Sequence, residues 1–289
     1  MTEAFTTIDD DARAAYRRDG VVCLRGMIGA DWRRLIAQGI EADRADPGRF
    51  FRDQTPEGSP ARYLFSYWMW PRNPAIRRAA CEGPAPAVAA DLLAAERLHL
   101  LMDNWFLREA GALNGAPWHH DEPYFDFAGG SMCAVWIPLE DATAAEGLTF
   151  IAGSHRDFPL FAPKNFKLDE PFDGVGADYA AMPDFDDPAF DERRLSWEMA
   201  AGDCLVFDLR TVHGASAGRK PLAKTIRRLS LRYGDQDVRF HPRGPWTEET
   251  AGFLIDAGQR PDAPLDCPML PRVWPPGATV ARPAPEAVS

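Results

Sequence analysis

The chain has 289 residues, of which 46% are hydrophobic and 26% are charged, a composition typical of a globular protein with a substantial core. Its formal net charge is −11, from 43 acidic and 32 basic residues. A field of that sign repels a phosphate backbone, so the composition disfavours a dedicated nucleic-acid-binding protein. We therefore predict no nucleic-acid partner.

Cysteine usage and hydropathy bear on the cellular compartment. The 5 cysteines are scattered without CxxC or zinc-finger spacing, a pattern typical of reduced thiols in a cytoplasmic protein. The N-terminus is acidic and then amphipathic, without the apolar segment of a signal peptide. No stretch approaches the roughly 20 apolar residues that a membrane helix needs. We expect a cytoplasmic protein without a membrane partner, either a monomer or a homodimer.

The first third of the chain predicts mainly helices. Residues 9–19 (DDDARAAYRRD) have the acidic start and basic end of a capped helix, and the apolar strand VVCLRG follows. Apolar spacing predicts a second helix over Asp31–Asp43, and the alanine-rich residues 74–97 predict further helix. Residues 47–62 are polar and predict a loop. The aromatic run YLFSYWMW at 63–70 fits core packing or a wall of a substrate pocket.

After Leu98 the sequence predicts a mainly β structure. Short apolar runs such as LHLLMDNWFLR, SMCAVWIPLE, DCLVFDL and RRLSLRY are separated by turns rich in Gly, Pro and Asp, which favours a sandwich or closed barrel. Residues 158–194 form a long acidic insertion, which predicts a lid over a site. Residues 261–289 form a proline-rich tail. We predict a single domain over residues 1–289, mainly β with flanking helices.

The segment PWHHDEPYF, at 117–125, predicts a metal site. On an extended strand the side chains of His119 and Asp121 point to one face, whereas His120 points to the other and is interpreted as a packing or supporting residue. His213 lies at the end of a predicted strand. Together, the two histidines and the carboxylate can form a facial triad that leaves three positions open on a non-haem Fe(II) ion, two for a 2-oxo acid and one for O2. By itself, this spacing also occurs by chance.

The surrounding sequence resembles the phytanoyl-CoA dioxygenase family of oxygenases that use Fe(II), 2-oxoglutarate and O2. The resemblance covers residues 8–245 and rests on blocks in the family's order: DNWFLREAGALNGAPWHHDEPYF, MCAVWIPLEDATAAEGLTFIAGSH, GDCLVFDLRTVHGAS and RRLSLRYGDQDVRFHPR. It implies a double-stranded β-helix (a jelly-roll, cupin-like barrel), with His119, Asp121 and His213 as catalytic metal ligands. It also implies hydroxylation of a small molecule with release of succinate and CO2.

The same resemblance implies an arginine that binds the far carboxylate of 2-oxoglutarate, because the planar guanidinium makes two parallel hydrogen bonds to a carboxylate. The family's usual position corresponds to Lys224, and the nearby arginines are Arg227 and Arg228. Alternation places Arg228, Ser230 and Arg232 on one face of a strand and Arg227 on the other. We favour Arg228, since Arg-x-Ser supplies a guanidinium and a hydroxyl, and we keep Arg227 as the alternative. For each arginine, a solvated strand end is the non-functional interpretation.

Further candidates follow from their positions in these blocks. Asn104 and Arg108, before the first histidine, are candidates for contact with the cosubstrate or the substrate. Trp136 and Tyr124 are expected to shape the pocket, although core packing fits each equally well. We include Asn104 and Trp136 among the predicted cosubstrate-binding residues. The GSH sequence at 153–155 predicts a turn with local hydrogen bonds.

Two other functions fit parts of the sequence. A cupin-like metalloenzyme that does not use 2-oxoglutarate shares the fold and the metal ligands but does not need the downstream arginine. A non-catalytic jelly roll that binds a small molecule has no use for three open-sided iron ligands. Related halogenases lack the carboxylate of Asp121, so its presence favours hydroxylation over halogenation. An obvious cluster for CoA phosphates is missing, and the aromatic run hints at an apolar or ring-bearing substrate.

Overall fold

The computed structural model describes residues 7–113, 115–166, 170–215 and 221–277. The helices are α1 (Asp10–Asp19), α2 (Ala30–Ala45), α3 (Pro74–Glu82), α4 (Pro84–Leu93), α5 (Ser154–Asp157) and α6 (Glu248–Asp256). The strands are β1 (Val21–Leu24), β2 (Arg52–Asp53), β3 (Tyr63–Tyr67), β4 (Leu98–Arg108), β5 (Phe127–Ala128), β6 (Met132–Pro138), β7 (Leu148–Ile151), β8 (Lys164–Asn165), β9 (Glu170–Pro171), β10 (Arg194–Leu195), β11 (Cys204–Asp208), β12 (His213–Ala215), β13 (Ile226–Asp235), β14 (Arg239–Phe240) and β15 (Arg272–Trp274).

The N-terminal helices follow from local capping signals. The Asp9 side chain accepts the Ala12 N–H at 2.7 Å at the start of α1, and Gly20 ends the helix with a φ of 78°, a left-handed conformation that glycine adopts without strain. The segment 74–97, predicted to be helical, contains the two helices α3 and α4. Gly83 is extended between α3 and α4, because the residue before Pro84 is sterically excluded from the helical region. Pro84 then begins the next helix.

Two antiparallel sheets form the barrel. The large sheet has the order β1-β11-β6-β13-β4-β3-β2, with β15 paired to β4. The smaller sheet has the order β10-β7-β12, and a bridge between His119 and His213 extends it. The described residues thus form a mainly antiparallel jelly roll with flanking helices, which confirms the predicted fold class.

Strand β13 crosses the centre of the large sheet between β4 and β6. On its outer face, the hydroxyl of Tyr233 donates a hydrogen bond of 2.8 Å to the Ala80 carbonyl of α3. On its inner face, Arg228, Ser230 and Arg232 are all buried. Because side chains alternate along a strand, these three polar residues share the face directed to the barrel interior, where the candidate site lies.

The insertion at 158–194 is fastened by its own aromatic side chains. Phe161 and Phe185 are fully buried and form a second core cluster with Ile151 and Val212. Within the insertion, residues 167–169 lie outside the described residues, and the movement predicted for a lid stays a prediction. The tail predicted at 261–289 contributes β15 to the sheet, whereas residues 278–289 lie outside the described ones.

Among the described helices, each is too short or too polar to span a membrane. The predictions of one domain over residues 1–289, of a cytoplasmic location and of a monomer or homodimer stay predictions.

Candidate metal centre

The backbone brings the two predicted histidine ligands together. His119 and His213 exchange N–H to carbonyl hydrogen bonds of 2.9 and 2.7 Å, and their ring centroids lie 4.2 Å apart. His213 is the first residue of β12, whereas the sequence placed it at the end of the preceding strand, which ends at Asp208. The N–H of the preceding residue, Val212, donates to the Ser154 hydroxyl at 2.8 Å. The turn predicted at 153–155 therefore helps to hold the strand that carries the second histidine.

Asp121 reaches the same point by a conformation that differs from the prediction. Its φ of −71° and ψ of −37° are helical rather than extended, and a 3-10 turn over Glu122–Tyr124 follows. The expectation of a continuous strand through Asp121 is therefore wrong, but the side chains still converge. Asp121 Oδ1 lies 3.7 Å from Nε2 of each histidine, and one ligand atom of each of the three residues lies within 4.8 Å of the others. All three residues are buried, and together they can hold a metal ion.

Each histidine presents Nε2 to this point because its other ring nitrogen is occupied. Nδ1 of His119 lies 2.8 Å from the Pro117 carbonyl, and Nδ1 of His213 lies 2.9 Å from the Thr211 carbonyl. A carbonyl can only accept, so Nδ1 carries the proton and Nε2 keeps its lone pair. Burial lowers the pKa of both imidazoles, that of His213 to about 3. Both rings are therefore neutral at pH 7, as metal coordination requires.

The second carboxylate oxygen of Asp121 is held by Arg232. Nε and Nη2 of Arg232 lie 3.0 and 2.8 Å from Oδ2, which leaves Oδ1 directed towards the histidines. Burial by itself raises the pKa of the Asp121 carboxyl, but the positive charge of Arg232 holds the pKa below its ordinary value. The third nitrogen, Nη1, is buried without a hydrogen-bond partner among the described residues, and the guanidinium lies over the Phe125 ring at 4.4 Å.

The two arginines considered for the oxo acid have different surroundings. Arg227 points away from the barrel and pairs with Glu140, with Nη2 to Oε1 at 2.7 Å. Arg228 is buried, donates to the Glu146 carbonyl and stacks 5.0 Å from the centre of the Trp136 ring. Among the described residues Arg228 has no ion pair, and burial lowers its pKa to about 9. Lys224, at the family's usual position, is exposed.

Two buried hydroxyls also lack hydrogen-bond partners among the described residues. Ser230 Oγ lies between Arg228 and Arg232 on the inner face of β13, and Thr149 Oγ1 is on β7, opposite Gly214. Trp136 is a core residue of β6 that pairs with Ser230 and does not line the cavity described below. Its predicted contact with the cosubstrate stays a prediction.

A cavity of about 480 Å³ opens beside the metal-binding group. Its walls include His119, Asp121, Arg232 and Asn104, and the Asn104 amide donates to the Ser66 carbonyl at 2.9 Å. Tyr124 also lines this cavity, in agreement with its predicted role. A larger groove of about 990 Å³, beside α1 and α4, lies elsewhere and contains none of the three predicted ligands.

The aromatic run at 63–70 contains residues in both predicted roles, the wall of a pocket and core packing. Tyr63, Phe65, Tyr67 and Trp68 line the cavity, whereas Trp70 is fully buried in the core. In the insertion, four residues line the same cavity, which supports the predicted cover of the site. They are Lys164, Asn165, Phe166 and Phe172.

The family is decided by a match that spans most of the chain. The sequence model described as "Phytanoyl-CoA dioxygenase (PhyH)" matches residues 16–221. The chain belongs to this family. No curated protein matches it.

The fold is also similar to solved structures. The epimerase SnoN, in complex with Fe3+, alpha ketoglutarate and nogalamycin RO, is 24% identical; the match covers 91% of this chain and 98% of that chain, with a TM-score of 0.70. The non-heme alpha ketoglutarate dependent carbocyclase SnoK from nogalamycin biosynthesis is 17% identical, with coverages of 92% and 96% and a TM-score of 0.69. EvdO2 from Micromonospora carbonacea var. aurantiaca, complexed with 2-oxoglutarate, is 19% identical, with coverages of 85% and 98% and a TM-score of 0.60.

Two contacts in this member of the phytanoyl-CoA dioxygenase family are absent from the sequence-based predictions. Alternation places Arg232 on the same face as Arg228, but its bond to Asp121 requires the folded barrel. His120 accepts the Phe161 N–H at 2.9 Å and therefore packs against the insertion, a contact that its interpretation as a packing or supporting residue did not specify. Burial lowers its pKa to about 4. Arg108 stacks over Tyr63 at 4.2 Å and does not line the cavity.

Proposed function

We propose that the chain is an Fe(II)- and 2-oxoglutarate-dependent dioxygenase that hydroxylates a small molecule with release of succinate and CO2. One observation carries the proposal. The three potential ligands His119, Asp121 and His213 converge in the barrel, and Arg228 is buried on the inner face of the same barrel without a carboxylate partner.

The donor atoms fit a non-haem iron ion. His119 and His213 offer neutral Nε2 atoms and Asp121 offers Oδ1, which is the two-histidine, one-carboxylate set that leaves coordination positions open. These three residues would hold the metal, and Arg232 would hold the remaining carboxylate oxygen. When bound, iron together with 2-oxoglutarate and O2 supplies the oxidising chemistry.

The surroundings of Arg228 fit the far carboxylate of 2-oxoglutarate. A buried cation without a counter-charge is costly, and a carboxylate that accepts two hydrogen bonds from it would offset the cost. Ser230 can donate its hydroxyl to the same carboxylate, since its oxygen is buried and has no partner among the described residues. Trp136 supports the guanidinium face. Arg227 is a weaker candidate because Glu140 already occupies it.

The remaining residues of the site position the substrate and exclude water. Asn104, Tyr124 and the aromatic side chains line the cavity beside the three potential ligands, so a substrate carbon can be held next to the metal position. The presence of Asp121 in the ligand group favours hydroxylation over halogenation. The similar proteins SnoN and SnoK are named an epimerase and a carbocyclase, and the mass of the product distinguishes hydroxylation from those two reactions. Hydroxylation adds one oxygen atom, epimerisation leaves the mass unchanged, and ring closure removes two hydrogens.

The test is an anaerobic titration of the purified protein with Fe(II) and then 2-oxoglutarate. We expect the weak visible charge-transfer band of an iron–oxo-acid chelate in the wild type and its loss in His213→Ala. Arg228→Met should need a much higher 2-oxoglutarate concentration, whereas Arg227→Met should behave as the wild type.

The outcomes separate the alternatives. Metal binding without the band would favour a cupin-like metalloenzyme that does not use 2-oxoglutarate. Failure of the wild type to bind Fe(II) or a surrogate ion would favour a non-catalytic jelly roll that binds a small molecule.

A further inference from the structure

The cavity beside the metal-binding group has a first aromatic wall on the large sheet. Tyr63, Phe65 and Tyr67 alternate along β3 and share one face, and Phe106 of β4 lies directly opposite Phe65. The ring centroids of Phe65 and Tyr67 are 6.1 Å apart with an interplanar angle of 21°, and those of Phe65 and Phe106 are also 6.1 Å apart. The sheet thus presents a continuous aromatic surface to the cavity.

A second aromatic wall comes from other parts of the chain. It consists of Tyr124, Phe166, Phe172 and Trp246. Tyr124 contacts Phe166 at 5.4 Å, and Phe172 stacks on Trp246 at 6.5 Å with an interplanar angle of 11°. Phe166 also lies 4.8 Å from the His119 ring and is 43% exposed. This wall therefore adjoins the metal-binding group and leaves aromatic surface uncovered.

The two walls line the same cavity. Among the described residues, no ring of the first wall is in ring contact with a ring of the second, although contacts within each wall are frequent. The cavity of about 480 Å³ is therefore lined by two distinct aromatic surfaces. Aromatic faces bind best to other π-systems in offset-stacked or edge-to-face arrangements. A planar ring system placed in this space can contact both walls at once.

The polar groups of the cavity are unevenly distributed between its two ends. At the inner end, the side chains of Asp121 and Arg232 are only 5% and 7% exposed. At the outer end, the Arg52–Glu249 ion pair is 31% and 46% exposed. Arg232 Nη1 is the inner donor that lacks a partner among the described residues. Because Asp121 already neutralises Arg232, this donor suits a neutral carbonyl or phenol oxygen better than a carboxylate.

We propose that the substrate is a planar, fused-ring aromatic molecule that carries a carbonyl or phenol oxygen. Its rings lie between the two aromatic walls, and its oxygen lies at the inner end of the cavity, beside the buried guanidinium of Arg232. A flexible acyl chain gains no stacking energy here and loses more conformational freedom. A sugar offers no π-system that could stack on either wall. The proposal rests on the proposed function for the identity of the reaction but not for the binding of the ring system.

The test is isothermal titration calorimetry on the purified chain without iron or 2-oxoglutarate. The probes are 1,8-dihydroxyanthraquinone, the saturated bicyclic ketone 2-decalone and laurate. We expect the anthraquinone to bind at least about 10-fold more tightly than either comparison compound, because only it offers aromatic faces. Equal or tighter binding of 2-decalone or laurate would overturn the proposal.

Variants show whether the anthraquinone binds between the walls. Phe65→Leu and Phe172→Leu each remove a ring from one wall, and each should weaken its binding by about 5-fold or more. Phe190→Leu is the matched control, since Phe190 packs in the second core cluster and does not line the cavity. If both wall variants fold, as judged by circular dichroism, and bind as tightly as the wild type, the proposal is wrong. These titrations omit iron, so absence of anthraquinone binding does not change the result of the charge-transfer test. Likewise, absence of the charge-transfer band does not change the result of these titrations.

Discussion

Replacement of Arg232 by methionine tests whether this arginine prepares Asp121 for a metal. In the wild type, Arg232 makes two hydrogen bonds to Asp121 Oδ2, at 3.0 and 2.8 Å, within a buried pair. Methionine fills a similar length without charge, so the substitution removes the ion pair with little change in volume. We expect the variant to bind metal more weakly because Oδ1 is no longer oriented towards the histidines.

The size of the effect follows from burial. Removal of one partner from a buried ion pair costs about 3–5 kcal/mol, since the remaining charge is left without compensation. Part of that cost is avoided if Asp121 takes up a proton, because its pKa rises once Arg232 is absent. A metal must then displace this proton, and loss of a residue that supports a ligand weakens metal binding by about 10–100-fold. Arg232→Lys keeps the positive charge but makes poorer hydrogen bonds to Asp121. Its metal affinity should therefore lie between those of the wild type and of Arg232→Met.

The assay is a Mn(II) titration followed by the electron paramagnetic resonance signal of the free ion, which requires neither 2-oxoglutarate nor substrate. Arg227→Met is the matched control, because Arg227 is on the same strand but forms a partly exposed pair with Glu140. Such pairs contribute about 1 kcal/mol or less, so the control should bind Mn(II) as the wild type does. A folded Arg232→Met variant with wild-type Mn(II) affinity would refute the role assigned to Arg232.

Three further predictions concern other buried polar groups. Arg228→Lys should weaken 2-oxoglutarate binding by about 10–100-fold, measured by calorimetry, and leave Mn(II) affinity unchanged, since it loses one of two charge-assisted hydrogen bonds. Ser154→Ala should lower the free energy of unfolding in urea by about 1–3 kcal/mol, because the buried Val212 N–H loses its acceptor; an unchanged urea midpoint would contradict this. Burial raises the pKa of Asp103 to about 7, well above its unfolded value, so the folded state binds the extra proton and stability is lost as the pH rises through 7. From pH 5 to pH 8 the wild type should therefore lose about 2–3 kcal/mol more stability than Asp103→Asn, and parallel pH profiles of the two proteins would refute the assignment.

Local sequence signals predicted those features of the fold that depend on interactions between residues close in the sequence. The Asp9 cap and the glycine after it set the ends of α1, and alternation along RRLSLRY correctly separated Arg227 from Arg228. The potential ligands His119, Asp121 and His213 were identified from their order in recognisable blocks. The alanine-rich composition of residues 74–97 also predicted helix, and the steric effect of Pro84 on Gly83 divides this segment into α3 and α4.

The tertiary structure decided what widely separated residues do together. The backbone pairing of His119 with His213 brings the ligand atoms together even though Asp121 is helical rather than extended. The bond between Arg232 and Asp121 likewise depends on the closed barrel. The sequence by itself determined which chemical groups are available and which side chains share a face of a strand. The first depends on residue identity and the second on the two-residue period of a strand. The contacts between these groups depend on the pairing of strands that are far apart in the sequence. Only the tertiary structure determines this pairing.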